Sequence, residues 1–297
     1  MDPLVFGLIA GAAVLHVAWN VLLKTAGDPL RAAAVGMTAA AAVIVPGATI
    51  GWLLIGRPPI PPEAFALGLA SGLLEAAYFG FLAAAYRRGD LSIVYPIARG
   101  TAPLLAVAVG IGVLGERLGP AGIAGVAALL VGLLALQRPW RFLRPSGRAA
   151  RDPAIGFALA TGVMIASYSA VDRVGSRVVE PWLYAGIIWA FCMVFLWAWV
   201  AISGRLAEPR EIASPPLNVP RAATGGLITL AAYLLILAAF SVAPLTAVAP
   251  LRESAIVLAS GWGTLRLGEG GDRGEAARRI GASALVVLGA ILLALDG

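Results

Sequence analysis

Two stretches of the chain combine a proline with ionisable residues inside segments that are otherwise apolar. The first contains Pro96 and Arg99, and the second contains Pro250, Arg252 and Glu253. A charge at the centre of a bilayer costs about 2.5–3.5 kcal/mol on insertion scales, so such side chains usually face a charged partner or a wet cavity. Each proline removes an intrahelical hydrogen bond, which is tolerated where the freed carbonyl lines a cavity or is buried in protein. The pattern predicts a polar site beside bent helices, or a structural ion pair between kinked ones.

Helix geometry separates the roles of the two charges in the second stretch. Neighbouring residues point about 100° apart around a helix. Arg252 and Glu253 therefore cannot both face one cavity squarely, and one of them is expected to serve helix packing instead.

A carboxyl group and several aromatic rings extend this candidate site. Glu75 and Tyr78 are three residues apart, so they share a helix face. Glu75 is expected to sense protons, to balance a cationic substrate, or to pair with Arg99. Tyr95 and Tyr168 are further aromatic candidates for lining the cavity.

The first apolar segment carries a second polar face. His16, Trp19 and Asn20 share one side of its helix, where they are candidates for substrate contact. His16 either takes part in proton coupling or is satisfied by a neighbouring backbone group. Asp172 and Arg173 lie near the end of a later segment, and we expect them at the membrane interface, where their charges reach water cheaply.

Composition places all these residues in a helical membrane protein. Of the 297 residues, 60% are hydrophobic and 13% charged, about half the charge of a soluble domain at roughly 25%. Apolar runs long enough to cross a bilayer recur along the whole chain. They are continuous, whereas the strands of a β-barrel alternate. The ten predicted transmembrane helices are residues 4–23, 32–55, 64–86, 91–114, 120–136, 154–174, 182–203, 222–241, 245–267 and 277–295.

Several functional classes are excluded by residue types that are scarce. One histidine and one cysteine cannot build a histidine- or cysteine-based metal site. The sequence has no Walker A motif and no aspartate-rich prenyltransferase motif. We therefore expect no enzyme activity, no cofactor and no metal. The net charge of +6 is attributed to cytoplasmic loops and not to nucleic-acid binding.

The chain divides into two halves with related patterns. Residues 1–137 and 154–297 each hold five predicted spans, and the arginine-rich linker 138–153 separates them. Pro96 and Pro250 correspond at an offset of 154 residues. Because five is odd, the second half must enter the membrane in the opposite orientation. Such inverted repeats are common in secondary transporters, which bind substrate near the membrane midplane between the repeats.

These motifs resemble the EamA repeat of the drug/metabolite transporter superfamily. The resemblance rests on YP at 95–96, RGTAP at 99–103, LGERL at 114–118, the glycine-spaced 123–136, APLRES at 249–254 and 277–295. The second half departs from the pattern at 267–270, LGEG, which lacks a basic residue corresponding to Arg117. The resemblance implies two five-helix repeats and a transporter. It leaves the substrate open, since members handle amino acids, other metabolites, sugars or drugs.

The distribution of basic residues predicts the orientation of the chain. Loops after odd-numbered spans hold 16 of the 22 basic residues. The positive-inside rule then places the linker in the cytoplasm and both termini outside. The family is often drawn with cytoplasmic termini, which is the opposite arrangement.

The residues and the resemblance together predict a multi-pass permease of the inner membrane, acting as a monomer or homodimer. Its arginines would attract a carboxylate, and its carboxylates and aromatic rings would meet an ammonium or apolar group. This favours export of an amino acid or similar zwitterion by alternating access, with protons as a candidate coupling ion. The alternatives are transport of an anionic organophosphate or phosphonate, efflux of a cationic drug, or a channel or scaffold that carries nothing.

Overall fold

The computed structural model describes residues 2–88, 91–138, 153–206, 216–253 and 273–296. Within these ranges the chain is helical and contains no β-strand. The helices are α1 Pro3–Lys24, α2 Pro29–Leu54, α3 Pro62–Arg88, α4 Leu91–Gly112, α5 Pro120–Gln137, α6 Pro153–Val178, α7 Pro181–Leu206, α8 Val219–Val242, α9 Leu245–Arg252 and α10 Arg273–Leu295.

Capping residues and prolines mark where several helices begin. Asp28 accepts a hydrogen bond from the Arg31 amide at the start of α2. Asn218 accepts one from the Arg221 amide at the start of α8. Prolines open α2 and α5, because a first-turn residue needs no amide hydrogen and the proline φ angle already suits a helix. Local sequence thus sets the limits of the long apolar segments.

Each predicted span overlaps one of these helices. The ninth is described only as far as Glu253, so the remainder of the predicted span 245–267 lies outside the described residues, as does the interior of the linker 138–153. By length and composition five helices of the described chain can each cross a membrane: α2, α3, α6, α7 up to Ser203, and α8. Shorter apolar stretches lie in α1, α4, α5 and α10. These helices indicate a multi-pass membrane protein, and ten crossings remain a prediction.

Most of the tight helix packing joins one half of the chain to the other. Helix α3 packs on α6 and α7, and helix α8 packs on α1 and α2. Helices α2 and α7, α4 and α9, and α5 and α10 also pack together. If each helix is replaced by the one five places along, the first two sets exchange and the other three pairs stay unchanged. Helix α4 also packs closely on α6, whereas the corresponding helices α9 and α1 touch only slightly within the described residues. The correspondence between the halves therefore holds for part of the packing.

Glycines allow the closest of these approaches, and they too correspond between the halves. A Cβ on Gly226 of α8 would overlap the Gly36 carbonyl oxygen of α2. A Cβ on Gly72 of α3 would lie 2.9 Å from the Ile188 carbonyl oxygen of α7. Gly72 and Gly226 are 154 residues apart, the same offset as the two prolines. Small residues let helix backbones approach closely in membranes, where apolar burial contributes little to helix association.

Gly226→Ala is expected to destabilise the folded protein by about 1–3 kcal/mol, because the new methyl group meets backbone that cannot rotate away. Thermal unfolding of the purified protein in detergent measures this as a lower Tm. Gly47→Ala in α2 is the matched control, since a Cβ there meets nothing within 4 Å. Equal Tm values for the two variants would contradict the proposed close packing.

Candidate functional site

A cavity lies between the two halves at about the middle of the long helices. Its atom-free space, open solvent included, amounts to about 570 Å³. The lining comes from α1, α2, α3, α4, α6, α7, α8 and α9. The lining residues are Ala12, His16, Trp19, Met37, Glu75, Tyr78, Phe79, Arg99, Tyr168, Trp189, Thr229, Ala232, Tyr233, Ile236 and Arg252.

Most of the residues singled out in the sequence lie at this cavity. The lining includes His16, Trp19, Glu75, Tyr78, Arg99, Tyr168 and Arg252. Glu253 is buried beside Arg99 and is absent from the lining. The side chains of Asn20, Tyr95 and Pro96 lie outside the described part of the structure. Pro250 lies inside α9, which ends two residues later at Arg252.

A buried ion pair joins Arg99 to Glu253. The Nη1 group of Arg99 donates to both carboxylate oxygens of Glu253, at 2.9 and 3.2 Å. The two side chains are only 7% and 3% exposed. Their positions differ by 154, the offset that also separates Pro96 from Pro250. The pair joins the two halves of the chain.

His16 is held between two groups that can only donate hydrogen bonds. Trp19 Nε1 donates to His16 Nδ1 at 3.0 Å, and Arg99 Nη2 lies against His16 Nε2. A neutral imidazole has one acceptor nitrogen, so it can accept a hydrogen bond from only one of these donors. A second ring proton would point at a donor and remove the remaining hydrogen bond. This geometry does not favour the proton-coupling role considered for His16.

Arg252 presents unused hydrogen-bonding capacity to the cavity. Its side chain is 8% exposed, and its Nε lies 3.5 Å from the nearest Glu253 oxygen. That nitrogen is buried and has no hydrogen-bond partner within the described chain. The guanidinium carbon lies 5.9 Å from the centre of the Tyr168 ring, as in a cation–π contact. An anionic group entering the cavity would meet this guanidinium.

Trp189 offers a second unused donor. Its indole Nε1 is buried and has no hydrogen-bond partner within the described residues. The ring packs against Tyr233 with centroids 5.2 Å apart, and both residues line the cavity. Trp189 was not among the candidates drawn from the sequence, so its place in the site was missed.

The expectation that Asp172 lies at the membrane interface was wrong. Helix α6 continues to Val178, and the Asp172 side chain is fully buried in the bundle. Its Oδ1 accepts a hydrogen bond from the Tyr184 hydroxyl at 3.2 Å, and its Oδ2 accepts one from the Tyr233 hydroxyl. The missed signal is its spacing of four from Tyr168, which puts both on one helix face.

Arg173 is also held inside the protein and does not reach freely into water. Its Nε lies 3.3 Å from Glu116 Oε1, and its Nη1 donates to the Phe240 carbonyl oxygen at 2.8 Å. Glu116 in turn accepts hydrogen bonds from the amides of Leu245 and Thr246 at 2.7 and 2.9 Å. This carboxylate therefore caps the start of α9 and joins it to α6.

The cavity lining thus includes both basic and acidic residues. Arg252 and Arg99 are basic, with Arg99 neutralised by its partner Glu253. Glu75 is the acidic residue of the lining, and Asp172 is buried outside it. Glu75 does not pair with Arg99, which was one of the three roles expected for it. Among the described residues no group of three histidine, cysteine, aspartate or glutamate side chains could hold a metal ion.

Comparisons with known proteins bear on the family. Residues 4–137 match the model of the EamA-like transporter family. The match covers somewhat less than half of the chain. A solved structure titled "Crystal structure of protein" aligns with a TM-score of 0.71 and 21% identity, covering 99% of this chain and 98% of that one. At this identity the likeness establishes a shared fold alone. No curated protein matches the chain.

The EamA assignment confirms the family recognised in the sequence. EamA-like proteins are membrane transporters of the drug/metabolite superfamily, and the long apolar helices of this chain indicate a multi-pass membrane protein. The matched residues include α1 to α5 and therefore Glu75 and Arg99 of the cavity lining.

Glu253→Gln is expected to destabilise the protein by about 3–5 kcal/mol, because it strands the buried charge of Arg99. The double variant R99M/E253M should recover most of that loss, since an apolar pair carries no desolvation cost. Unfolding in detergent of R99M, E253M and R99M/E253M, each compared with the unaltered protein, forms a double-mutant cycle.

The control for this cycle is the ion pair between Arg87 and Asp28, which is as short at 2.6 Å but has Arg87 36% exposed. Arg87→Gln should cost less than Glu253→Gln, because water reaches the Arg87 end of this pair and the Arg31 amide still donates to Asp28. The central role of the buried pair is contradicted if Glu253→Gln costs no more than Arg87→Gln.

Proposed function

We propose that this protein is a secondary transporter of the inner membrane that exports an amino acid or a similar small zwitterion by alternating access. The observation that carries the proposal is that the cavity lining holds both a basic group and a carboxyl group. Arg252 offers an Nε–H without a hydrogen-bond partner among the described residues, and Glu75 offers a carboxyl group. A zwitterion has the complementary pair of groups.

The surroundings of these charges support a molecule with an apolar part. Tyr78 and Tyr168 have ring centroids 5.9 Å apart, and Tyr168 and Tyr233 are 6.1 Å apart. Aromatic walls with a few convergent polar groups are usual in small-molecule sites. The Trp189 indole supplies a further donor for a carboxylate.

Alternating access is supported by the way the halves meet. The helices that line the cavity pack mainly on helices of the other half. An odd number of helices in each half would set the two halves in opposite orientations. Rocking one half against the other would then expose the cavity to each side in turn. The capping of α9 by Glu116 ties the halves together at one end of the cavity.

A second candidate substrate is an anionic metabolite such as an organophosphate or phosphonate. The observation that favours it is the pairing of Glu253 with Arg99, which removes one of the negative charges expected to face the cavity. Efflux of a cationic drug is less well supported, because α1 contributes His16 and Trp19 but no carboxylate to the lining.

Counterflow in proteoliposomes tests the proposal. Vesicles loaded with an unlabelled amino acid should accumulate the labelled compound with saturable kinetics, and an organophosphate should compete only under the second candidate. Single-channel currents would contradict a carrier. Absence of flux for every amino acid and organophosphate tested would support the scaffold alternative.

Arg252→Leu is expected to abolish counterflow while the protein stays folded in the membrane. Loss of a hydrogen bond to a charged group costs about 1.5–3 kcal/mol, which corresponds to about a ten- to hundredfold weaker binding. Arg31→Leu, on the exposed surface at the start of α2, is the matched control. Normal flux in Arg252→Leu would remove this residue from the site.

Trp189→Phe is expected to weaken substrate binding by about tenfold, because it keeps the aromatic ring and removes only the unpartnered N–H. The concentration dependence of counterflow gives the change in affinity. Trp197→Phe serves as a control on the same helix, since Trp197 is 42% exposed. Unchanged affinity in Trp189→Phe would mean that the indole N–H does not contact substrate.

A further inference from the structure

The side chain of Glu116 joins the two halves of the chain at one end of the cavity. It lies between α4 and α5, and its carboxylate accepts hydrogen bonds from the Leu245 and Thr246 amides of α9 at 2.7 and 2.9 Å. Arg173 of α6 donates its Nε to the same carboxylate at 3.3 Å and its Nη1 to the Phe240 carbonyl oxygen of α8 at 2.8 Å. In these contacts, the Glu116 junction, Glu116 belongs to the first half and its partners to the second.

The Glu116 junction lies about one helical turn from the cavity and admits little water. Ile236 lines the cavity, and Phe240 follows it by four residues on the same face of α8. The side chains of Arg173 and Glu116 are only 11% and 9% exposed. Hydrogen bonds to charged groups are stronger than neutral ones, and partly buried charges are screened less by salt. The junction therefore holds this end of the cavity closed.

Local sequence directs the Glu116 side chain toward α9. Gly115 has a φ of +66°, a left-handed conformation that favours glycine and turns the chain back after α4. The Glu116 amide then donates to the Gly110 carbonyl oxygen at 2.9 Å. A Cβ on Gly110 would lie 2.7 Å from a Glu116 carboxylate oxygen and 2.6 Å from Thr246 Cγ2. Glycine at position 110 thus leaves the space through which the carboxylate reaches α9.

The contacts between the halves at the opposite end of α8 are more exposed. Helix α8 has 24 residues and is about 36 Å long, so its start lies far from the Glu116 junction. There the Asn218 amide donates to the Ala26 carbonyl oxygen at 2.8 Å, and Arg221 donates to the Thr25 carbonyl oxygen at 3.2 Å. Asn218 and Arg221 are both exposed, so water competes for these hydrogen bonds.

We propose that the Glu116 junction is the gate at one end of the cavity, and that this end opens when Glu116 releases Arg173 and the amides of α9. Because the partners lie in the other half, the halves can separate here only by breaking these contacts. The unaltered protein is then mostly closed at this end. The inference rests on the proposed alternating access for its purpose, but its test requires no substrate.

Distances between pairs of spin labels measure the opening of each end in the purified protein. Labels on cysteines at the exposed positions Val113 and Val242 report on the end with the Glu116 junction, one from each half. Labels at the exposed positions Arg31 and Val219 report on the opposite end. The native Cys192 is buried and is replaced by alanine throughout. With Glu116 in place, the first pair should show one predominant short distance.

Glu116→Gln removes the charge and keeps the size of the side chain. The ratio of open to closed molecules at this end should rise about ten- to hundredfold, because hydrogen bonds to a charged group are lost. Gly110→Ala should also widen this end, since its methyl group displaces the carboxylate and leaves every charge in place. The distance at the opposite end should not increase in either variant.

Asp28→Asn is the matched control for Glu116→Gln. Asp28 also caps a helix and pairs with an arginine, but its partners Arg31 and Arg87 belong to its own half. This variant should lower the Tm without widening either end. Unchanged distances in Glu116→Gln and Gly110→Ala would overturn the gate, as would equal widening in Asp28→Asn. Failure of both junction variants to fold would make the contacts purely structural and would also overturn it.

Counterflow separates this inference from the proposed function. A protein whose labelled end widens in Glu116→Gln but that carries no substrate refutes the transport function and leaves the gate standing. A protein that carries amino acids while its label distances are the same with and without the Glu116 carboxylate refutes the gate alone.

Discussion

The ion pair between Arg99 and Glu253 is the interaction on which the arrangement of the site depends. A buried ion pair is tolerated inside a helix bundle only while both charged residues are present. Removing one of them leaves the other as an uncompensated buried charge. The pair therefore fixes α4 against α9 at the point where the two halves meet. By neutralising Arg99, it also leaves Arg252 as the arginine at the cavity without a matching carboxylate of its own.

The different positions of the Arg252 and Glu253 side chains follow from helix geometry. Adjacent residues point about 100° apart, and the structure places Arg252 at the cavity and Glu253 behind it against Arg99. Pro250 lies just before them, and the helix ends at Arg252. The chain thus presents one charge to the cavity and one to the other half within a single turn.

Sequence alone predicts the helices well and the site partly. Apolar segments, prolines and caps are local signals, so the helices appear where those signals place them. The partner of Arg99 could not be identified from the sequence, because Glu75 and Glu253 both lie in predicted membrane segments. The packing of α4 on α9 places Glu253, and not Glu75, beside Arg99. Asp172 was misplaced for a similar reason. Its partners Tyr184 and Tyr233 lie 12 and 61 residues away, and no local pattern links them.

The comparison of the two halves shows where their similarity ends. At the shared offset of 154, Gly72 matches Gly226, and each occupies a close helix contact. At the same offset Glu75 matches Thr229, and Arg99 matches Glu253. A cavity built from two identical halves would present the same charge from both sides. A receptor for a molecule with two different ends requires unlike charges, so residues at the cavity must differ between halves while the packing glycines can stay the same.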